Sequence, residues 1–329
     1  MKTKDPLTFW FGPPGTAARN EGEALCLALS ADTSAANVDR FRDLYEKVGD
    51  DRMWAIAERE HMECIVAHAI DRTSIERSQR WVDAHAEVEA KIGEYMEVLD
   101  AIAARLAEDG IPVVALKNAG IARAIFPCLG CCPMGDLDLL VRRSDFVRAH
   151  EIMMAEGYHF EFRSPLEQAD IEHAIRGGGT EYSKMLPSGR KLWVEIQWRP
   201  VAGRWIQPDQ EPSGDELMER SLAVPGSAVR LLCPEDNLLQ VALHTAKHSY
   251  VRAPGFRLHS DVDRIVRLQD PDWDQFGEAA ARAQVLTAVH ISLAMAADLL
   301  ATPIASTCTE RLLSSSARRS LLMKWIRRV

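Results

Sequence analysis

Apolar positions recur at helical intervals through most of the first hundred residues. Phe41, Leu44, Tyr45 and Val48 form one stripe, and Trp54, Ile56, Ala57, Ile65 and Val66 form the next. The longest stripe runs through Trp81, Val88, Ile92, Tyr95, Met96, Leu99 and Ile102, and Asp109-Gly110 supplies a helix stop. Ahead of them lie a turn-rich aromatic arm, Phe9 to Gly15, and a short apolar helix from Ala24 to Leu29. The period then changes. Ile111 to Lys117 is short, β-branched and bounded by turn residues, so it reads as a buried strand, and Met134 to Val141 reads as the next. A short helix from Ala119 to Phe126 fits between them, at a spacing that predicts a helix crossing back.

Asp145 to Glu156 is amphipathic and closes at Gly157, and Tyr158 to Phe162 alternates after it. Glu181–Leu186 and Lys191–Trp198 predict a hairpin turned by Pro187-Ser188-Gly189. Residues 200 to 230, marked by Pro208, Pro212, Gly214, Pro225 and Gly226, read as irregular chain, and the pattern is helical from Pro234 through Leu300. The expected class is α+β: an N-terminal arm and helical region over 1–109, a mixed sheet with flanking helices over 110–205, and a C-terminal helical domain over 206–329.

With 329 residues, 47% of them hydrophobic, the chain can bury a sizeable core. A net charge of -9 argues against nucleic acid or anionic lipid as a partner. Neither a spanning apolar run nor a signal-like start is visible, which predicts a cytoplasmic protein without membrane contact. Seven scattered cysteines argue against a disulfide framework. Cys128, Cys131 and Cys132 form a C-x2-C-C cluster with three readings: a zinc site, for which no His pair of finger spacing follows; a small-residue loop; or a redox-sensitive lip.

The chemistry concentrates in Gly135-Asp136-Leu137-Asp138-Leu139-Leu140-Val141. Strand periodicity puts Asp136 and Asp138 on one face while Leu137 and Leu139 turn into the core. Two like charges held that close call for a cation between them or a proton on one, and a divalent metal is the expected resident. Glu195 interrupts the otherwise apolar strand Leu192 to Trp198 and is the candidate third carboxylate of a Mg2+ or Mn2+ site, with an NTP as the natural substrate.

These segments resemble the uncharacterised nucleotidyltransferases of the DNA polymerase β superfamily over roughly residues 90 to 300. The likeness rests on Leu116-Lys117-Asn118, Pro133-Met134-Gly135-Asp136-Leu137-Asp138-Leu139-Leu140-Val141, Val194-Glu195-Ile196-Gln197-Trp198, Leu243-His244-Thr245-Ala246-Lys247-His248 and Asp261-Val262-Asp263-Arg264. It implies that residues 110–205 are a nucleotidyltransferase core, that Asp136, Asp138 and Glu195 are catalytic metal ligands, and that Lys117 faces the phosphates. Asn118, Gly135, His244 and Lys247 would complete the nucleotide site. Asn118, Cys132 and Gln197 stand where the family has Gly, Arg and His, and the left-handed turn is expected at Asn118. Relatives occur with genes for modified peptides, including lasso peptides, which makes a peptide or small molecule the implied acceptor. The rival functions are a sugar-nucleotide-using tailoring enzyme and a catalytically weak antitoxin-like scaffold.

Other signals are less specific. His244, Lys247 and His248 share a helix face suited to phosphate, Asp261 or Asp263 is expected to cap a helix or pair with Arg264 or Arg267, and Gly177-Gly178-Gly179 reads as a flexible turn or lid.

Overall fold

Six helices open the chain: α1 (Leu7–Phe11), α2 (Ala17–Leu29), α3 (Ala35–Val48), α4 (Asp50–Arg59), α5 (Glu63–Asp71) and α6 (Gln79–Glu108). The computed structural model describes residues 5–164, 169–201, 207, 210–252, 255–308 and 316–326. Helix α6 has 30 residues and so is about 45 Å long. Its first turns bury Trp81 among α2 to α5, while Ile92, Leu99 and Leu106 pack on the sheet. It ends where expected, with Gly110 at φ +76°.

The sheet core follows as β1 (Val113–Leu116), α7 (Lys117–Ala124), β2 (Asp136–Leu140), α8 (Phe146–Ala155), β3 (His159–Phe160), α9 (Ile171–Gly177), β4 (Gly179–Met185) and β5 (Lys191–Gln197). Helix α10 (Gly214–Arg220) leads to β6 (Leu222–Ala223) and β7 (Val229–Leu231), and α11 (Pro234–Lys247), α12 (Arg257–Gln269), α13 (Trp273–Arg282), α14 (Leu286–Leu300) and α15 (Ser316–Ile326) complete the chain. The α+β class holds, with one seven-stranded mixed sheet in the order β3-β4-β5-β2-β1-β7-β6. No helix among the described residues is long and apolar enough to cross a membrane.

Three expectations change. Strands β1 and β2 are antiparallel, not linked by a helix crossing back. Helix α7 and the turn Leu129–Cys131 stay at the end where β1 finishes, and that turn docks on α5 and α6. Gly120 permits the close fit of α7, since a Cβ there would meet the Ala115 carbonyl oxygen at 2.7 Å. Part of the stretch read as irregular supplies β6 and β7, and β7 pairs parallel with β1. Strands of two and three residues are too short to show a period. Finally, Cys128 and Cys131 form a disulfide, where no disulfide framework was expected. A bond closing so short a loop restrains the unfolded chain little.

The sheet's two faces meet different partners. Val113, Ala115, Leu137 and Leu139 join α6 and α8 in the largest core, whereas Val114, Leu116 and Leu140 meet Leu217 and Met218 of α10. Asp136 and Asp138 share the parity of Leu140, so they stand on the α10 side.

Asp263, buried in α12, ties distant segments together. It accepts hydrogen bonds from the Ala31 amide (2.8 Å), Ser30 Oγ (3.2 Å) and Thr302 Oγ1 (2.7 Å), and pairs with Arg267 (2.8 Å). Pairing with Arg267 is one of the expected roles; both Asp261 and Asp263 lie inside α12, and neither caps it. Asp263→Ala leaves those donors without their acceptor and should lower stability by about 2 kcal/mol in urea denaturation. An unchanged midpoint would show that water replaces the carboxylate at no cost.

Candidate functional site

Strand register assembles the site. Asp138 lies opposite Glu195 in the parallel β2–β5 pair, Glu195 opposite Glu181 in β4, and Asp138 opposite Leu116 in β1. Three carboxylates therefore stand in one row on adjacent strands, with Asp136 two residues from Asp138 on the same face. Like charges in direct opposition are destabilising, so such a row needs cations.

Two side chains supply them. Lys117 Nζ stands 2.5 Å from Asp138 Oδ1 and 3.8 Å from Glu195 Oε2. Arg163, on the chain after β3, pairs with Asp136 at 2.6 Å and with Glu181 at 3.3 Å. Asp138 also accepts a hydrogen bond from Gln197 Nε2 at 3.4 Å, so Gln197 retains a contact to the site. The arrangement differs from the expected compact ligand set: Arg163 holds Asp136, and Lys117 lies on Asp138 and Glu195. Among the described residues, the one group of three or more ligand atoms gathered within 4.8 Å lies elsewhere, at His68, His85, Cys128 and Cys131.

Burial pushes the Asp138 carboxyl up to about 6, with Lys117 pulling it down and Glu195 adding repulsion. Burial and the Asp138 charge raise Asp136 as well, against the pull of Arg163 and Lys117. For Lys117, burial alone would depress the ammonium, but the charges of Asp138 and Glu195 outweigh it and hold it above the ordinary lysine value. Two cations, Lys117 and Arg163, thus face the four carboxylates Asp136, Asp138, Glu181 and Glu195, which leaves the site short of positive charge.

Lys117 begins α7 with φ +49°, so the left-handed turn falls on Lys117 itself and not on Asn118. Its amide donates to Gln240 Oε1 at 3.2 Å, which fixes the turn against α11. Beside it opens a narrow cleft lined by Lys117, Pro200, Val201, Gln240, His244 and Lys247. His244 and Lys247 thus share a cleft with Lys117, while His248 stacks edge-on against His244 at 4.8 Å. Burial and the charge of Lys117 lower His244 well below the usual histidine value, leaving it neutral.

Asn118 sits inside α7, where its carbonyl faces Cys132 Sγ at 3.9 Å. Gly135 is exposed, and among the described residues nothing beyond its chain neighbours lies within 4 Å of an added Cβ. Arg190 and Arg199, the alternative partners for Glu195, are engaged by Glu94 and Glu211. Gly178 caps α9 at φ +100° and is packed against Arg199, so the triple glycine is a built turn, not a lid. Sequence reasoning missed Glu181, Arg163 and Gln240. Glu181 alternates with buried Thr180 and Tyr182, a signal that the hairpin pattern contained, whereas Arg163 carries none.

A search of curated proteins finds no match to this chain. A family model matches residues 46–301, which include the whole carboxylate row, Lys117 and the cleft beside it. The chain belongs to the family of uncharacterised nucleotidyltransferases.

Proposed function

We propose that this nucleotidyltransferase moves a nucleoside monophosphate from a triphosphate to a hydroxyl or phosphate of a small-molecule or peptide acceptor, releasing pyrophosphate. In this reading Asp136, Asp138 and Glu195 hold Mg2+ or Mn2+. The observation that carries it is the register of Glu195 beside Asp138, with Asp136 on the same face. Hard carboxylate oxygens short of positive charge are the donor set such ions take. Bound there, divalent ions would neutralise the polyphosphate and ease deprotonation of the attacking hydroxyl.

The chain's own groups do the remainder. Lys117 and Lys247 offer ammonium charge to phosphate oxygens in the cleft, and neutral His244 offers a ring nitrogen. Glu195, with 21% of its side chain exposed against 5% for Asp138, is the carboxylate open to an acceptor. Gln240 holds the turn from which Lys117 projects.

Each of the four triphosphates, labelled at the α-phosphate, is incubated with the protein, Mg2+ or Mn2+ and extract of its own cells. Label should enter a new product with release of pyrophosphate, and the product mass should rise by a nucleotide and not by a hexose. Absence of metal-dependent transfer from all four overturns the reading. A second reading, a catalytically weak scaffold of the same fold, is favoured by the pairing of Lys117 with Asp138 and Arg163 with Asp136. Metal-dependent triphosphate binding in calorimetry counts against it.

A further inference from the structure

Away from the carboxylates, the cysteine turn meets two histidines from separate helices. His68 lies in α5, His85 in α6, and Cys128 and Cys131 flank Leu129-Gly130 in the turn that leads toward β2. His85 Nε2 is 3.3 Å from Cys128 Sγ and 3.9 Å from Cys131 Sγ, and His68 Nδ1 is 3.7 Å from Cys128 Sγ. All four ligand atoms lie within 4.8 Å of one another. A tetrahedral zinc with arms of about 2.1 Å to nitrogen and about 2.3 Å to sulfur has N···S edges of about 3.6 Å. The measured separations bracket that edge.

The turn is shaped for this meeting. A Cβ on Gly130 would fall 2.5 to 2.9 Å from His85 ring atoms, so only glycine lets the imidazole lie over the turn. The His68 and His85 rings are nearly parallel, 14° apart, with centroids 6.2 Å apart. Cys132, the third member of the cluster, points elsewhere, toward the Asn118 carbonyl. The sequence objection to zinc was that no histidine pair follows the cysteines; the pair precedes them.

We propose that His68, His85, Cys128 and Cys131 form a structural Zn2+ site. Two thiolates and two imidazoles form the mixed soft donor set that zinc takes, and four protein ligands close the coordination sphere, as in structural sites and not in catalytic ones. The ion would fasten α5 and α6 to the chain five residues before Asp136, fixing the approach to the carboxylate strand. Zinc and the Cys128–Cys131 disulfide are exclusive states. Reduction by two equivalents of a small thiol gives two cysteine thiols and the disulfide of that reductant, and Zn2+ then displaces the two thiol protons. The proposal stands independently of the nucleotidyl-transfer reading.

The full chain, reduced and freed of metal, is titrated with Zn2+ and separately with Co2+, and bound metal is measured by mass spectrometry after desalting. Expected are about one ion per chain and, with Co2+, thiolate charge-transfer and tetrahedral ligand-field bands. His68→Ala/His85→Ala and Cys128→Ser/Cys131→Ser should each cut occupancy at least about tenfold, while Cys132→Ser keeps it. Thiol counting on the protein before reduction shows how much of it carried the disulfide. Reduced wild-type protein that binds less than about 0.1 Zn2+ per chain, or an octahedral Co2+ spectrum, overturns the assignment. That result needs no variant to fold.

Discussion

Asp138→Asn is expected to reduce metal-dependent nucleotidyl transfer by at least about 10³-fold, equivalent to about 4 kcal/mol of transition-state stabilisation. The substitution keeps size and shape and removes one charge from the centre of the carboxylate row. Stability should not fall with activity. The Asp138 carboxyl is raised by burial to about 6 from an ordinary 3.8, so the native state binds this proton more tightly than the unfolded chain does. Its stabilising contribution is therefore fully present below about pH 4 and is lost as pH rises through about 6. Asn imitates the protonated form, and the Lys117 ammonium keeps Glu195 at 3.8 Å as its counter-ion, so at neutral pH the variant should melt at or above the wild-type temperature. Steady-state transfer and a thermal melt on one preparation test both halves. Turnover within tenfold of wild type would remove Asp138 from the reaction, and a large fall in melting temperature would mean that the charge is structural.

The legible part of this site is what periodicity can carry. Asp136 and Asp138 at i and i+2, and Glu195 breaking an apolar strand, announce a shared face before any pairing is known. What sets Asp138 beside Glu195 is register, and register follows from the whole sheet, including β7, whose three residues give no pattern of their own. The counter-ions were illegible for a different reason. Lys117 could be read as a strand-end cation, but its contact with both carboxylates depends on a left-handed turn that Lys rarely adopts and that Gln240, 123 residues away, helps to fix. The two histidines beside the cysteine turn were hidden likewise: they lie upstream on two helices, 43 and 60 residues from Cys128, outside any finger spacing. Local pattern exposes faces, and only tertiary contact exposes partners.

Lys117→Met separates the two functional readings most sharply. Met keeps the unbranched stem at the positive-φ position and removes only the ammonium, leaving Asp138 and Glu195 without their shared cation. Stripping one partner from a buried pair costs about 3 kcal/mol or more, so in metal-free buffer the variant should be markedly less stable. The loss should narrow as pH falls. Lys117 holds the Asp138 value down, so without it the carboxyl takes up its proton at a higher pH and the unpaired charge disappears. Divalent metal then decides the issue. If the carboxylates are ligands, millimolar Mg2+ replaces the missing positive charge and raises the melting temperature of the variant more than that of wild type, because a bound ion at a hundredfold excess over its Kd contributes about 2.7 kcal/mol. If Lys117 is instead the permanent counter-ion of an inert scaffold, Mg2+ leaves the variant as unstable as before, and the metal assignment of Asp138 and Glu195 fails with it.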